Sequence, residues 1–82
     1  MITPRIKEVK ALTNHKIYIV FEDGIKKIYD MNDLIQSNPF YSKLKNDEYF
    51  NKVKPRGTSV EWPDGEDVCP ENLYNESEDF IN

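Results

Sequence analysis

The residues able to do chemistry gather in one short stretch, Glu61 to Tyr74, EWPDGEDVCPENLY, which holds the only Trp, the only Cys, two of the five Pro and five acidic residues. Asp64, Glu66 and Asp67 offer hard oxygen donors close together. A calcium loop, however, needs roughly six to eight oxygens at set spacings with a bidentate Glu late in the loop, an order that PDGED lacks. Zinc needs His or Cys partners, and the chain has one of each, His15 and Cys69, in separate segments. No metal site is expected, and Pro63-Asp64-Gly65 reads as a turn whose acids point to water. Cys69 with His15 is the one nucleophile–base dyad the composition allows, but neither lies in a nucleophile elbow or other signature. His15 reads as a turn residue and Cys69 as a small half-buried hydrophobe. The three Gly stand in separate turns, so no phosphate-cradling loop exists. The expectation is a non-enzyme with no cofactor and no small-molecule substrate.

A second constellation is FYSKLKNDEYFNKVKPR. It interleaves Phe40, Tyr41, Tyr49 and Phe50 with Lys43, Lys45, Lys52, Lys54 and Arg56, the mixture of rings and cations that single-strand binders use. Against it stands the acidic balance, a net charge of −4 and a pI near 4.9, because stand-alone binders carry a basic footprint. The plainer reading makes the rings core residues and the lysines a solvated face. The charge is also unevenly placed. Residues 1–60 carry +4 and residues 61–82 carry −8 with no base at all. An acidic end of this kind reads first as a solvated rim leaning on the basic part through weak surface pairs, and second as a cover for a basic face that an anion also wants.

These side chains need a scaffold, and 82 residues allow one small domain, 1–82, with one core. No apolar run is long enough to span a membrane, and the charged start, MITPRIKEVK, lacks a signal core. With a single Cys, the expected location is the cytoplasm. Residues 5–13 alternate in part and form a first strand. KIYIVFE, 16–22, is a strand with Ile17, Ile19 and Phe21 on one face and Tyr18 and Val20 on the other, central and largely covered on both sides. Thr13-Asn14-His15 is the turn before it. Asp23-Gly24 is a hairpin signal, and 25–30 is the return strand. A two-residue loop pairs Ile19 with Ile28 and Tyr18 with Tyr29; a three-residue loop shifts that register.

Asp30 or Asn32 is placed to cap a helix beginning near Asp33, with Leu34 and Ile35 inward. Asn38-Pro39 breaks it, and Pro39 opens a second helix with Phe40 and Leu44 on one face, extended by Glu48, Tyr49 and Phe50. Residues 51–55 form a short edge strand ending at Pro55, with Val53 inward. After Arg56-Gly57, TSVEW alternates with Val60 and Trp62 in and Ser59 and Glu61 out. Asp67 bonds the backbone that follows or caps a turn, Pro70 opens a short helical turn with Glu71 near its positive end, and Leu73 and Tyr74 return to the core. The acidic tail, 75–82, frays unless Phe80 and Ile81 dock on this chain or a neighbour. The fold class is α+β: β-β-β-α-β-β, a mostly antiparallel sheet with a broken helix packed on one face.

Several of these motifs together resemble a bacterial family, domain of unknown function 2442 (DUF2442). The resemblance runs from Ile6 to Tyr74. Its most specific part is Trp62-Pro63-x-Gly65-x-Asp67 followed by Pro70-Glu71-x-Leu73-Tyr74, and its second part is Phe21-x-Asp23-Gly24 with Asp30 six residues past the glycine. The tail after Tyr74 lies outside the pattern. The resemblance implies a small bacterial, cytoplasmic α+β domain with no catalytic residue set to carry over. It also implies a partner-binding component in a toxin–antitoxin-like pair. The function expected is therefore a protein-interaction module, through a protein partner or a homo-oligomer, and the alternative is a nucleic-acid or regulatory binder using the cations of 40–56.

Overall fold

In the computed structural model, which describes residues 3–79, KIYIVF forms strand β2 (Lys16–Phe21). Its alternation has a visible cause: Ile17, Ile19 and Phe21 are each fully enclosed, whereas Tyr18 and Val20 on the opposite face are half-buried. The second face is thus less covered than the sequence predicts. β2 lies between β1 (Ile6–Ala11) and β3 (Lys26–Asp30), antiparallel to both. The β1–β2 turn, Thr13–His15, holds Asn14 and His15 at φ of 60° and 57°, left-handed values that Asn and His tolerate better than most residues.

The β2–β3 hairpin uses a three-residue loop, Glu22-Asp23-Gly24. Phe21 N–H donates to the Ile25 carbonyl and Gly24 N–H to the Phe21 carbonyl, both at 2.9 Å. Asp23 accepts from Ile25 N–H at 3.0 Å, and Gly24 takes the left-handed position at φ 92°. The two-residue register is therefore corrected. Ile17 faces Tyr29, Tyr18 faces Ile28 and Ile19 faces Lys27. A shift of one residue exchanges faces, and it places Tyr29, only 4% exposed, in the core beside Ile17.

Three short helical pieces follow, α1 (Asn32–Ser37), a 3-10 segment at Pro39–Lys45, and α2 (Asp47–Phe50). Asparagine separates them. The Asn38 side chain accepts from Phe40 N–H at 3.0 Å and that of Asn46 from Tyr49 N–H at 3.2 Å, each capping the next piece. The 3-10 twist of about three residues per turn aligns i with i+3. Tyr41 and Leu44 consequently face the core, and Phe40, expected there, is 54% exposed. Asp30, rather than closing α1 as its N-cap, accepts from Asn32 N–H at 2.9 Å. That bond holds its carboxyl below the usual carboxylate range.

Strand β4 (Lys54–Arg56) lies later than residues 51–55 and takes Pro55 inside it, paired to β5 (Ser59–Glu61) as an edge ribbon. Ile6 N–H donates to the Gly57 carbonyl at 2.8 Å and ties this ribbon to the start of β1. Ser59 is buried instead of outward; its hydroxyl donates to the Val68 carbonyl. The short helical turn expected at Pro70 is α3 (Pro70–Glu76), and the chain adds one element that was not expected, β6 (Glu78–Asp79). β6 pairs with β3, giving an antiparallel sheet in the order β1-β2-β3-β6. Part of the acidic tail is thereby structured, and Lys27 pairs with Asp79 at 3.1 Å. The expected docking of Phe80 and Ile81 lies outside the described residues. The helices, Trp62, Val68 and Leu73 cover the Ile17–Ile19–Phe21 face of the sheet, an α+β arrangement.

The Trp62-Pro63-Asp64-Gly65-Glu66 turn repeats the first hairpin. Trp62 N–H donates to the Glu66 carbonyl at 2.9 Å, Gly65 N–H to the Trp62 carbonyl at 3.0 Å, and Gly65 sits at φ 100°. Nothing lies within 4 Å of a Cβ built on Gly24 or Gly65, so an added methyl meets only the backbone penalty. Gly24→Ala and Gly65→Ala are each expected to destabilise by about 1–2 kcal/mol, measured by urea denaturation, with similar values at the two sites.

Candidate functional site

The stretch rich in chemically able residues forms a clasp around the helical arm 39–50. Trp62 reaches under the arm and donates Nε1–H to the Phe50 carbonyl at 2.9 Å. Tyr41 donates its hydroxyl to the Asp67 carbonyl at 2.8 Å. The Tyr49 hydroxyl accepts from Asp64 N–H at 2.8 Å and donates to Glu66 Oε1 at 2.5 Å. Lys43 closes the outer side on Asp64 at 2.5 Å. Glu66 is only 4% exposed, so a carboxylate read as solvent-facing is enclosed, and Tyr49 is the partner that makes this tolerable.

Beside the clasp lies an open depression of about 370 Å³ lined by Lys43, Asn46, Glu48, Tyr49, Lys52 and Asp64. The hydrogen bond to Asp64 raises the Lys43 ammonium above its ordinary range. Burial raises the Tyr49 phenol, and the bond to Glu66 adds to that. Burial likewise raises Tyr41, with Asp67 adding to it, and pushes Tyr29 up to about 12, with Glu76 adding to it. These are phenols kept neutral by the fold. The folded pKa lies above the unfolded one, so the stabilisation is complete below about pH 10 and is lost as pH rises toward about 12. Thermal melts across that interval are expected to fall steeply, with the Tyr29 phenolate appearing only as the chain unfolds.

The residues of the two signature motifs occupy distinct positions. Asp23, Gly24 and Pro63, Gly65 form the twin turns, and Asp30 precedes α1. Phe21 packs edge-on against Tyr74 with centroids 5.1 Å apart, and the Lys27 ammonium sits 4.7 Å from the Tyr74 ring. Leu73 is fully buried and Pro70 opens α3. The three acids do not converge: Asp64 faces Lys43, Glu66 faces Tyr49, and the Asp67 carboxylate lies 3.8 Å from Arg56 rather than on the following backbone. Cys69 is exposed, contrary to its half-buried expectation, because it stands at the start of α3. His15 meets Phe50 edge-on with centroids 5.2 Å apart and holds Nε2 3.4 Å from Asp47, so its neighbours belong to α2 and not to the Cys69 loop.

The basic segment is largely committed within the chain. Besides Lys43, Lys54 lies 3.7 Å and Arg56 3.5 Å from Glu61. Lys45 and Lys52 remain exposed without an ion pair among the described residues. Of its rings, Tyr41 and Phe50 are buried, Tyr49 is half-buried, and Phe40 alone stands well exposed.

A family model described as Protein of unknown function (DUF2442) matches residues 6–79. The match runs past Tyr74 and through α3 and β6. No curated protein and no solved structure matches the chain.

Proposed function

Starting from the fact that this chain belongs to the DUF2442 family, we propose that it is a non-enzymatic interaction module of the bacterial cytoplasm, acting through a protein partner or by self-association. The observation that carries this reading is the uneven use of its two sheet faces. One face is closed by helices and the clasp, while on the other Tyr18, Val20 and Ile28 lie only half-buried in the middle of the sheet. The chemically able side chains, by contrast, are taken up in holding the fold: Tyr49, Glu66, Lys43 and Asp64 on one another, and Lys54 and Arg56 on Glu61. Among the described residues no helix is long and apolar enough to cross a membrane.

Within this reading the partner is the product of an adjacent reading frame, in a toxin–antitoxin-like pair. Co-purification of the two products is expected to yield a stoichiometric complex, and Val20→Glu is expected to weaken it. Light scattering of the chain alone separates self-association from a plain monomer. A monomer at all concentrations that also fails to retain the neighbouring product sinks the proposal.

A further inference from the structure

We propose that the groove between the free end of β1 and α2 receives an extended, cationic segment of a partner protein, which pairs with Ala11 as an added strand and sets a Lys or Arg on Asp47. This rests on the interaction reading above and gives it a further contact and a partner chemistry.

The alternation of β1 sets the direction of its main-chain groups. Leu12 N–H donates to the Lys16 carbonyl at 2.8 Å, so Leu12, Lys10 and Glu8 turn their N–H and C=O groups to β2, and Val9 and Ala11 turn theirs away from it. β1 is an end strand of its sheet. The β4–β5 ribbon takes the beginning of the outer edge, where Ile6 N–H reaches the Gly57 carbonyl at 2.8 Å. At the other end no strand pairs with Ala11 from outside among the described residues. There the edge opens on a groove of about 390 Å³, walled by Ala11 and Leu12 on the strand side and by Asp47, Phe50 and Asn51 on the α2 side. An unpaired strand edge and open space beside it coincide, which is what strand addition requires.

The lining selects what enters. Asp47 carries the one charge in it, and its side chain is 88% exposed. His15 Nε2 lies 3.4 Å from that carboxylate without making a hydrogen bond, so the oxygens keep their accepting capacity. The nearby charges stand elsewhere. Glu48 and Lys52 line the depression on the Tyr49 side of α2. Lys10 and Lys16 stand on the opposite face of the sheet, since side chains alternate along a strand. The groove is therefore acidic at one point and apolar along Leu12 and Phe50. A Lys or Arg fits both, with its stem along the apolar wall and its head on Asp47. A small cation satisfies Asp47 alone, whereas a strand also pairs the outward N–H and C=O of Ala11. The net charge of −4 favours the approach of a cationic segment as well.

Amide NMR shifts of the isotope-labelled full chain test this with blocked peptides: acetyl-VKVKV-amide, its glutamate counterpart acetyl-VEVEV-amide, and VKVKV methylated on its backbone nitrogens. VKVKV is expected to shift the amides of Ala11, Leu12 and Asn51 saturably, with a Kd on the order of 1 mM for so small a contact. The glutamate and the methylated peptides are each expected to bind at least about tenfold more weakly, the first for its charge and the second for its lost donors. Asp47→Asn is expected to weaken VKVKV by about tenfold; should that variant fail to fold, the peptide series decides. No shift at Ala11 up to about 10 mM VKVKV overturns the proposal. Shifts confined to residues 61–79 mark general attraction to the acidic end and overturn it too, as does equal binding of the methylated peptide or of free arginine amide. A stoichiometric complex with the neighbouring product whose shifts miss Ala11 and Asn51 removes the groove and leaves the interaction module standing. Groove binding of VKVKV without any such complex supports the groove and removes the neighbouring product as its occupant.

Discussion

Trp62→Ala is expected to leave the chain unfolded, or nearly so, at room temperature. Trp62 is 1% exposed and is the largest fully buried side chain. It packs beside Phe50 with centroids 5.7 Å apart and satisfies the Phe50 carbonyl through Nε1. Truncation removes that packing, opens a cavity and orphans the carbonyl, together about 3–5 kcal/mol. A chain of 82 residues has about 4–12 kcal/mol in total at the usual stability per residue. Trp62→Phe keeps much of the volume and loses the donor, so it is expected to fold with a lowered midpoint. Urea denaturation followed by circular dichroism distinguishes these results. A midpoint for Trp62→Ala within a few degrees or a few tenths molar of wild type contradicts the enclosed position.

Tyr49→Phe comes next in size, and its effect runs through a different residue. The hydroxyl is the donor to Glu66, whose carboxylate is enclosed. Without it the charge keeps its desolvation cost and loses its partner, about 1.5–3 kcal/mol for a bond to a charged group. Glu66→Gln in the same background removes the charge and is expected to recover part of the loss. A double-mutant cycle by urea denaturation reads the coupling directly. Additive single effects would show that the two side chains do not act as a pair.

The strand run KIYIVF, the two Asp-Gly turns, the break at Asn38-Pro39 and the inward Trp62 were all legible, because each depends on neighbours close in sequence. Loop length was the harder quantity. In both FEDGI and WPDGE the loop has three residues, so Phe21 stands opposite Ile25 and Trp62 opposite Glu66. Paired residues share a face, and Glu66 is drawn inward with Trp62. Following the second turn one residue further would have revealed this. Phe40 was misplaced for a related reason: an α period carries 40 and 44 together, whereas the 3-10 period carries 41 and 44. Ser59 and Cys69 could not be placed from local pattern: Ser59 is met by the Val68 carbonyl, nine residues on, and Cys69 stands exposed at the start of α3. β6 offers two residues, too few for any alternation, and its place in the sheet is decided by β3.

The clasp has a consequence for how freely its sequence can drift. Three of its side-chain bonds end on main-chain carbonyls: Tyr41 on Asp67, Trp62 on Phe50, and Ser59 on Val68. A carbonyl is present whatever residue owns it. The donors are therefore constrained in identity, while the owners answer only to their own surroundings. Val68 and Phe50 must still fill the core, but Asp67 is exposed and can be exchanged without touching the bond its backbone accepts. The fastening is one-sided, with its information held almost wholly by the hydroxyl and indole side.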